Sequence, residues 1–250
     1  MKWLRSNGGA IIILLFLLGL WEIIVKITGT PAWLLPAPSQ IFSEGFKVIP
    51  SFSTDILATT KLAILGLVIG SAAGFIIAVI LHILPIVQKM TYPLLILSQN
   101  IPIIVLAPLL IIWFGFGLLP KLIVIALVCF FPIVVAALDG FKNTAPELKY
   151  YMQMAGASKT QMFWKLELPY ALPSLFSGLK ISATYSVMGA VISEWLGAKQ
   201  GIGVYMTLSQ ASFRTDHVFV AIFTIMLLSV LLFGLIQAFE KLFIKGKIER

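Results

Sequence analysis

The sequence predicts an all-α, polytopic membrane protein with six transmembrane helices and a helix-turn-helix in the loop between the fourth and fifth of them. Of its 250 residues 60% are hydrophobic and only 11% are charged, whereas a soluble domain is roughly half apolar and a quarter charged. Six segments approach the length of about 20 apolar residues that a helix needs to cross a bilayer. The loop at residues 139–170 is longer and more polar than a simple turn requires.

The first predicted helix is a retained span, because its apolar stretch exceeds the ~7–15 residues of a signal peptide and no A-x-A-like site follows it. Residues 26–55 are too rich in proline for one continuous helix, so we interpret them as an outer tether on the membrane surface. We expect a single transmembrane domain over residues 1–250, with a core of about 55–242 after the N-terminal span and tether, 1–54. The predicted spans are residues 10–25, 56–82, 93–114, 122–138, 171–195 and 217–240.

The distribution of basic residues predicts the orientation. With both termini in the cytoplasm, eleven lysine and arginine residues fall in inside segments and five in outside segments, as the positive-inside rule requires. The loop 139–170 is then cytoplasmic. The net charge of +8 is scattered between apolar runs, so it does not indicate a nucleic-acid partner.

The second span carries small residues on one face. Gly66, Gly70 and Gly74 recur at intervals of four, a spacing that lets another helix approach closely within lipid. This pattern predicts a helix-packing face. It leaves open whether the partner helix belongs to the same chain or to a second copy.

Two spans contain polar residues that hydrocarbon alone would not tolerate. Ser98, Gln99 and Asn100 precede Pro102 and Pro108 in the third span, so we expect a bent helix whose amides face protein or a water-filled path. In the fifth span we assign Lys180, Tyr185 and Glu194 to a candidate pathway. Hydrogen bonding between helices, and a lysine that reaches back toward the membrane surface, are the simpler alternatives.

Sequence motifs argue against an enzyme. The chain has no G-x-x-x-x-G-K-[ST], GxSxG or HExxH sequence, so neither ATP binding by a phosphate loop nor hydrolysis is indicated. Cys129 is the single cysteine, and His82 and His217 are far apart. We therefore predict no metal site and no cofactor on this chain.

The pattern of the loop before the fifth span predicts two short amphipathic helices. An apolar face at Leu148, Tyr151, Met152 and Ala155 leads to Gly156, a residue suited to the left-handed end of a helix. Ser158 and Gln161 then have the capping-box spacing. Phe163 and Leu166 continue the second helix, and we expect Pro169 and Pro173 to stop it and open the fifth span.

Three functions fit this helix-turn-helix. It could anchor the loop in the membrane interface, read DNA, or dock a cytoplasmic partner with its turn presented and its apolar faces packed on the membrane domain. Both of its ends are tied to membrane spans within a few residues, which argues against DNA.

The spacing of Gly156 to Leu166, Leu168 and Pro169 resembles the cytoplasmic loop of bacterial ABC importer permeases, E-A-A, three residues, G, nine residues, I-x-L-P. The E-A-A positions are Tyr150, Tyr151 and Met152 here, a departure from the family pattern. The resemblance covers roughly residues 30–245, through LPAPSQIF, SQNIPIIVLAPLLIIWFGFG and SEWLGAKQGIG. These segments are similar to the subgroup that imports nitrate, taurine, alkanesulfonates and pyrimidine precursors of thiamine, and EWLGA and TYS are most similar to the thiamine-precursor branch.

The resemblance implies a type I importer in the bacterial inner membrane. Two permeases, usually identical, would form the pore, two cytoplasmic ATPase subunits would bind ATP and magnesium, and an external solute-binding protein would deliver the substrate. The ATPase-coupling residues that it implies here are Tyr151, Met152, Ala155, Gly156, Ala157, Ser158, Phe163, Leu166, Leu168 and Pro169. A secondary carrier or channel, or a membrane scaffold without a transport role, is the alternative.

Overall fold

The computed structural model describes residues 2–244, with the side chains of residues 2–7 and 10 excepted. Within that range every regular element is a helix, so the all-α prediction is confirmed. The predicted inside charges Lys2, Arg5, Lys245, Lys247 and Arg250 lie outside the described side chains. The helices are α1 (Lys2–Thr28), α2 (Pro38–Ile83), α3 (Pro85–Ser98), α4 (Ile103–Phe114), α5 (Leu118–Lys142), α6 (Pro146–Met154), α7 (Lys159–Met162), a π-helical turn (Phe163–Glu167), α8 (Leu168–Glu194), α9 (Ile202–Ala211) and α10 (Thr215–Phe243).

Five described helical segments are long and apolar enough to cross a membrane, and a sixth arises if α3 and α4 form one broken span. The two helices meet at an angle of 99° across a short break. The predicted bend over residues 93–114 is confirmed, but it is a break rather than a continuous curve: helix begins already at Pro85 and is interrupted between Ser98 and Ile103. Pro102 lies in this break, whereas Pro108 is accommodated inside α4.

The predicted separation of tether from second span is also wrong. Helix α2 runs without interruption for 46 residues and includes Pro50. Its start is favoured by Pro38 in the first turn and by Gln40, whose Oε1 accepts a hydrogen bond from the Ala37 N–H at 3.3 Å. At 1.5 Å per residue α2 is roughly 70 Å long, more than twice the bilayer core of about 30 Å.

Helix α5 lies at the centre of the bundle and contacts both α2 and α8. The small-residue face of α2 lies against α5: a Cβ on Gly70 would lie 2.8 Å from Cys129 Cβ, and one on Gly74 would lie 2.8 Å from the Phe130 carbonyl oxygen. Ser182 of α8 donates a hydrogen bond to the carbonyl of the same Cys129 at 2.9 Å, which ties α8 to α5. The partner of the glycine face is thus a helix of the same chain.

We distinguish the two ends of the helical bundle by the segments that lie there. The elbow end carries residues 143–167, and the opposite end carries the C-terminus of α8 and the start of α10. At the opposite end, residues 202–211 form helix α9, which sequence reasoning left as part of a connecting loop.

Candidate functional site

The helix-turn-helix has the predicted turn. We call residues 146–162, comprising α6, the turn and α7, the elbow. Gly156 has φ +75°, the left-handed conformation that glycine adopts without strain. The Ser158 hydroxyl accepts a hydrogen bond from the Gln161 N–H at 3.2 Å, and Gln161 Oε1 accepts one from the Ser158 N–H at 2.9 Å. The capping box is confirmed.

The expected stop after the second helix is wrong. From Lys159 the chain stays helical to Glu194, passing through the π-helical turn Phe163–Glu167. Pro169 follows directly on the π-helical turn, where the Leu168 N–H bonds to the Phe163 carbonyl, so its missing N–H falls where the regular α-helical hydrogen bonding is already interrupted. The turn therefore continues directly into the fifth span, so α7 and α8 are joined by helix rather than by a hinge loop.

The elbow exposes apolar side chains that we expected to pack on the membrane domain. Tyr151 is 72% exposed and Leu148 is 45% exposed, and α6 buries no side chain. Of the other predicted coupling residues, Ala155, Gly156 and Ser158 are exposed, and Met152, Ala157, Phe163, Leu166, Leu168 and Pro169 are half-buried. The exposed apolar set, which we call the elbow patch, consists of four elbow residues and Trp164 of the π-helical turn that follows: Leu148, Tyr150, Tyr151, Met154 and Trp164.

A buried carboxylate that sequence reasoning missed lies behind the elbow patch. Glu167 Oε1 is 2.8 Å from Lys149 Nζ of α6, and Oε2 is 2.8 Å from His82 Nε2 near the end of α2. We call these three residues the Glu167 cluster. The only sequence signal for it is an acidic residue at the variable position of the L-x-L-P segment.

Three of the pathway candidates surround one cavity. Ser98, Gln99 and Tyr185 line a space of about 370 Å³ where the break between α3 and α4 faces α5 and α8. Seven apolar residues complete its lining, and none of the ten lining residues carries a charge. Asn100 is not part of the lining, and its side chain donates to the Ile96 carbonyl at 3.3 Å.

The other two pathway candidates lie in polar contacts away from this cavity. Lys180 Nζ is 2.8 Å from Glu240 Oε2, which ties α8 to α10. Glu194 is buried: its Oε1 accepts from the Thr59 hydroxyl at 2.7 Å, and its Oε2 accepts from the Gly203 N–H at 2.8 Å. We call Thr59, Glu194 and Gly203 the Glu194 cluster.

One group of potential metal ligands occurs among the described residues. Donor atoms of Glu44, Asp216 and His217 lie within 4.8 Å of one another. The Arg214 guanidinium lies among them, 2.9 Å from Asp216 and 2.7 Å from His217 Nε2. The hydrogen bond from Arg214 to Asp216 raises the pKa of the guanidinium further, so a fixed cation occupies the place where a metal ion would bind.

Comparison with known proteins identifies relatives along nearly the whole chain. A family model described as "Binding-protein-dependent transport system inner membrane component" matches residues 66–245. The formylaminopyrimidine transport permease protein ThiX of Halalkalibacterium halodurans is 36% identical over 229 residues, 91% of each chain. The riboflavin transport system permease protein RibX of Chloroflexus aurantiacus is 30% identical over 95% of this chain and 89% of its own. The taurine transport system permease protein TauC of Escherichia coli is 27% identical over 86% and 81%.

Proposed function

The chain belongs to the family of binding-protein-dependent transport system inner membrane components, and from that premise we propose that its elbow docks the ATPase of an ABC importer. The chain is the permease subunit of such an importer, with a transport role rather than a catalytic one. The family implies both an ATPase and a solute-binding protein as partners. The assignment as an importer permease agrees with the resemblance that the loop spacing indicated. It argues against the alternative of a carrier that works without ATP.

The observation that carries the docking proposal is the exposed elbow patch, which begins on α6 and ends at Trp164, on the helix that continues into α8. The patch lies on both sides of the Gly156 turn, and the helix that leaves the turn becomes α8 without a loop. A partner that binds Trp164 would therefore act directly on α8, whereas the patch residues of α6 would act on it through the turn. Tyrosine and tryptophan, which make up three of the five patch residues, are enriched among the side chains that dominate the affinity of protein interfaces.

We place the elbow in the cytoplasm, as the lysine and arginine distribution predicts, and both termini with it. Two copies of the chain would line the pore, two separate subunits would bind and hydrolyse ATP, and the solute-binding protein would dock at the opposite end. ATP binding would bring the two ATPase subunits together and draw the two elbows with them. The spans would then tilt between inward-facing and outward-facing arrangements.

Gly156 provides the test of docking. No atom lies within 4 Å of a Cβ built on Gly156, so a new side chain does not clash with the permease, although the positive φ strains the turn. We expect Gly156→Asp to abolish transport and co-purification of the ATPase while membrane insertion stays normal. Its matched control is Gly29→Asp, because Gly29 also has a positive φ, +62°, and open space around it.

Co-expression of the permease with the ATPase, followed by purification on the permease, measures both variants. Loss of the ATPase from Gly156→Asp but not from Gly29→Asp supports docking at the turn. Normal recovery of the ATPase with Gly156→Asp would count against it.

We propose that the transported solute is an uncharged heterocycle of the pyrimidine class. Thiamine precursors, alkanesulfonates, taurine and nitrate all fit the sequence resemblance, but the cavity at Ser98, Gln99 and Tyr185 offers no charged side chain for an anion. An unpaired ion is costly in such an apolar space. The name of the relative from Halalkalibacterium halodurans refers to a formylated aminopyrimidine.

Binding measurements on the partner solute-binding protein test this choice. We expect formylaminopyrimidine to bind and taurine, an alkanesulfonate and nitrate not to bind. Tight binding of an anion would overturn the solute class while leaving the importer assignment intact.

A further inference from the structure

The Glu167 cluster joins elements that are distant along the chain. Glu167 belongs to the π-helical turn before α8, Lys149 to α6, and His82 to the end of α2. The carboxylate is only 10% exposed and has a base at 2.8 Å on each oxygen. The two carboxylate oxygens therefore each bind a base on a different helix, one on α6 and one on α2.

Aromatic packing surrounds the cluster. The His82 ring centroid lies 4.7 Å from that of Phe141 at the end of α5, and Phe141 lies 5.5 Å from Phe163 of the π-helical turn. Phe141 is buried. The ends of α2, α5 and α8 thus meet in one packed layer directly behind the elbow.

Helix α6 depends on this layer for its position. It buries none of its own side chains, and Lys149 reaches from it to Glu167 at 2.8 Å and to the Phe141 carbonyl at 3.4 Å. Because no apolar side chain of α6 is fully buried and only Met152 is half-buried, the bonds of Lys149 are the main polar contact that the structure shows between α6 and the membrane domain. Losing its partner would leave a half-buried ammonium without a counter-ion, which is costly.

We propose that Glu167 is the positioning residue that makes the elbow, α2 and α8 move as one body. Through covalent continuity alone, force on the elbow reaches α8; through Glu167 and His82 it also reaches α2. This inference rests on the proposed docking of the ATPase at the elbow. It assigns to Glu167 the transmission of movement after docking, not docking itself.

Replacement of Glu167 by alanine separates the two roles. In proteoliposomes that contain the permease and its ATPase, with the solute-binding protein and formylaminopyrimidine supplied, we expect Glu167→Ala to keep the ATPase bound and hydrolysing ATP. The amount of solute taken up per ATP hydrolysed should fall by about tenfold or more, because the broken link no longer holds α6. Amide hydrogen exchange within residues 146–154 should accelerate by a similar factor, and this readout needs no solute.

Two further variants distinguish positioning from general stability. The exchange of charges in Lys149→Glu/Glu167→Lys restores an ion pair between α6 and the π-helical turn but leaves His82 of α2 without its carboxylate. It should return the exchange of α6 to near the wild-type rate while the transport ratio stays low. Glu240→Ala breaks a comparably half-buried ion pair, that of Lys180 with Glu240 at 2.8 Å, which does not contact the elbow. It should lower thermal stability without changing the transport ratio or the exchange of α6.

The outcomes separate the two proposals. The positioning role is overturned if amide hydrogen exchange in α6 of the Glu167→Ala variant is as slow as in the wild type. It is also overturned if this variant takes up as much solute per ATP as the wild type. Full recovery of the transport ratio by the charge exchange, with the complex assembled, would show that the link to His82 of α2 is not needed, and it also overturns the positioning role. If the wild-type permease neither retains the ATPase nor shows ATP-dependent uptake, the proposed docking fails instead.

Discussion

Two glutamates near opposite ends of α8 hold the same neighbour, α2, in different ways. Glu167 at the elbow end binds two basic side chains, one of which belongs to α2. Glu194 at the opposite end binds the Thr59 hydroxyl of α2 and the backbone N–H of Gly203. The two carboxylates are 27 residues apart in sequence, about 40 Å along a helix.

The partners differ in how freely they move. Gly203 is a backbone donor at the start of α9, and Thr59 also accepts a hydrogen bond from the Ile202 N–H at 2.8 Å. The Glu194 cluster is therefore part of the backbone framework and buried in it. Lys149 has a long, flexible side chain on a helix without a buried face. We infer that the opposite end fixes the fold, whereas the elbow end transmits movement.

The largest expected effect on stability is that of Glu194→Ala. The change leaves the buried Gly203 N–H without an acceptor and removes the acceptor of the Thr59 hydroxyl, so we expect a loss of roughly 3 kcal/mol. For a chain of this size that is about 6–12 °C in melting temperature. Thermal unfolding of the detergent-solubilised permease measures it, with the exposed Glu147→Ala as control. If Glu194→Ala melts at the same temperature as the control, the opposite end does not fix the fold and the distinction between the two ends is wrong.

A smaller effect should follow from a change midway between the two clusters. Gly70→Ala places a methyl group 2.8 Å from Cys129 Cβ and 2.9 Å from Ala126 Cα, so α2 must shift away from α5. Overpacking of this kind costs about 1–3 kcal/mol. The control is Gly234→Ala in α10, where nothing lies within 4 Å of the added carbon.

Thermal unfolding of the two glycine variants tests whether α2 is packed tightly between its two ends as well as held at them. We expect Gly70→Ala to unfold at a lower temperature and Gly234→Ala at the wild-type temperature. Equal stability of the two variants would mean that the contact of α2 with α5 is loose.

The sequence predicted what local pattern and composition determine. The spans follow from hydrophobic runs, and the Gly156 turn and the capping box follow from residues with specific backbone preferences. The spacing within the loop indicated the family. The continuity of α7 with α8 was missed because Pro169 was expected to stop a helix, whereas the π-helical turn before it accommodates the missing N–H. Neither glutamate cluster could be predicted, because each depends on residues brought together over long separations, 85 between His82 and Glu167 and 135 between Thr59 and Glu194.

The smallest expected effect is local to the elbow. Ser158→Ala removes the acceptor of the Gln161 N–H, and loss of such an N-cap costs about 1 kcal/mol. Because α7 buries none of its side chains, this loss should loosen the turn without lowering the melting temperature of the bundle. Hydrogen exchange at the Gln161 and Met162 amides should accelerate about fivefold, the factor for about 1 kcal/mol. Ser158→Asn, an equally good cap, should retain slow exchange. A fall in melting temperature comparable to that of Glu194→Ala would place the elbow within the cooperative core, and the two ends of α8 would then differ in chemistry but not in role.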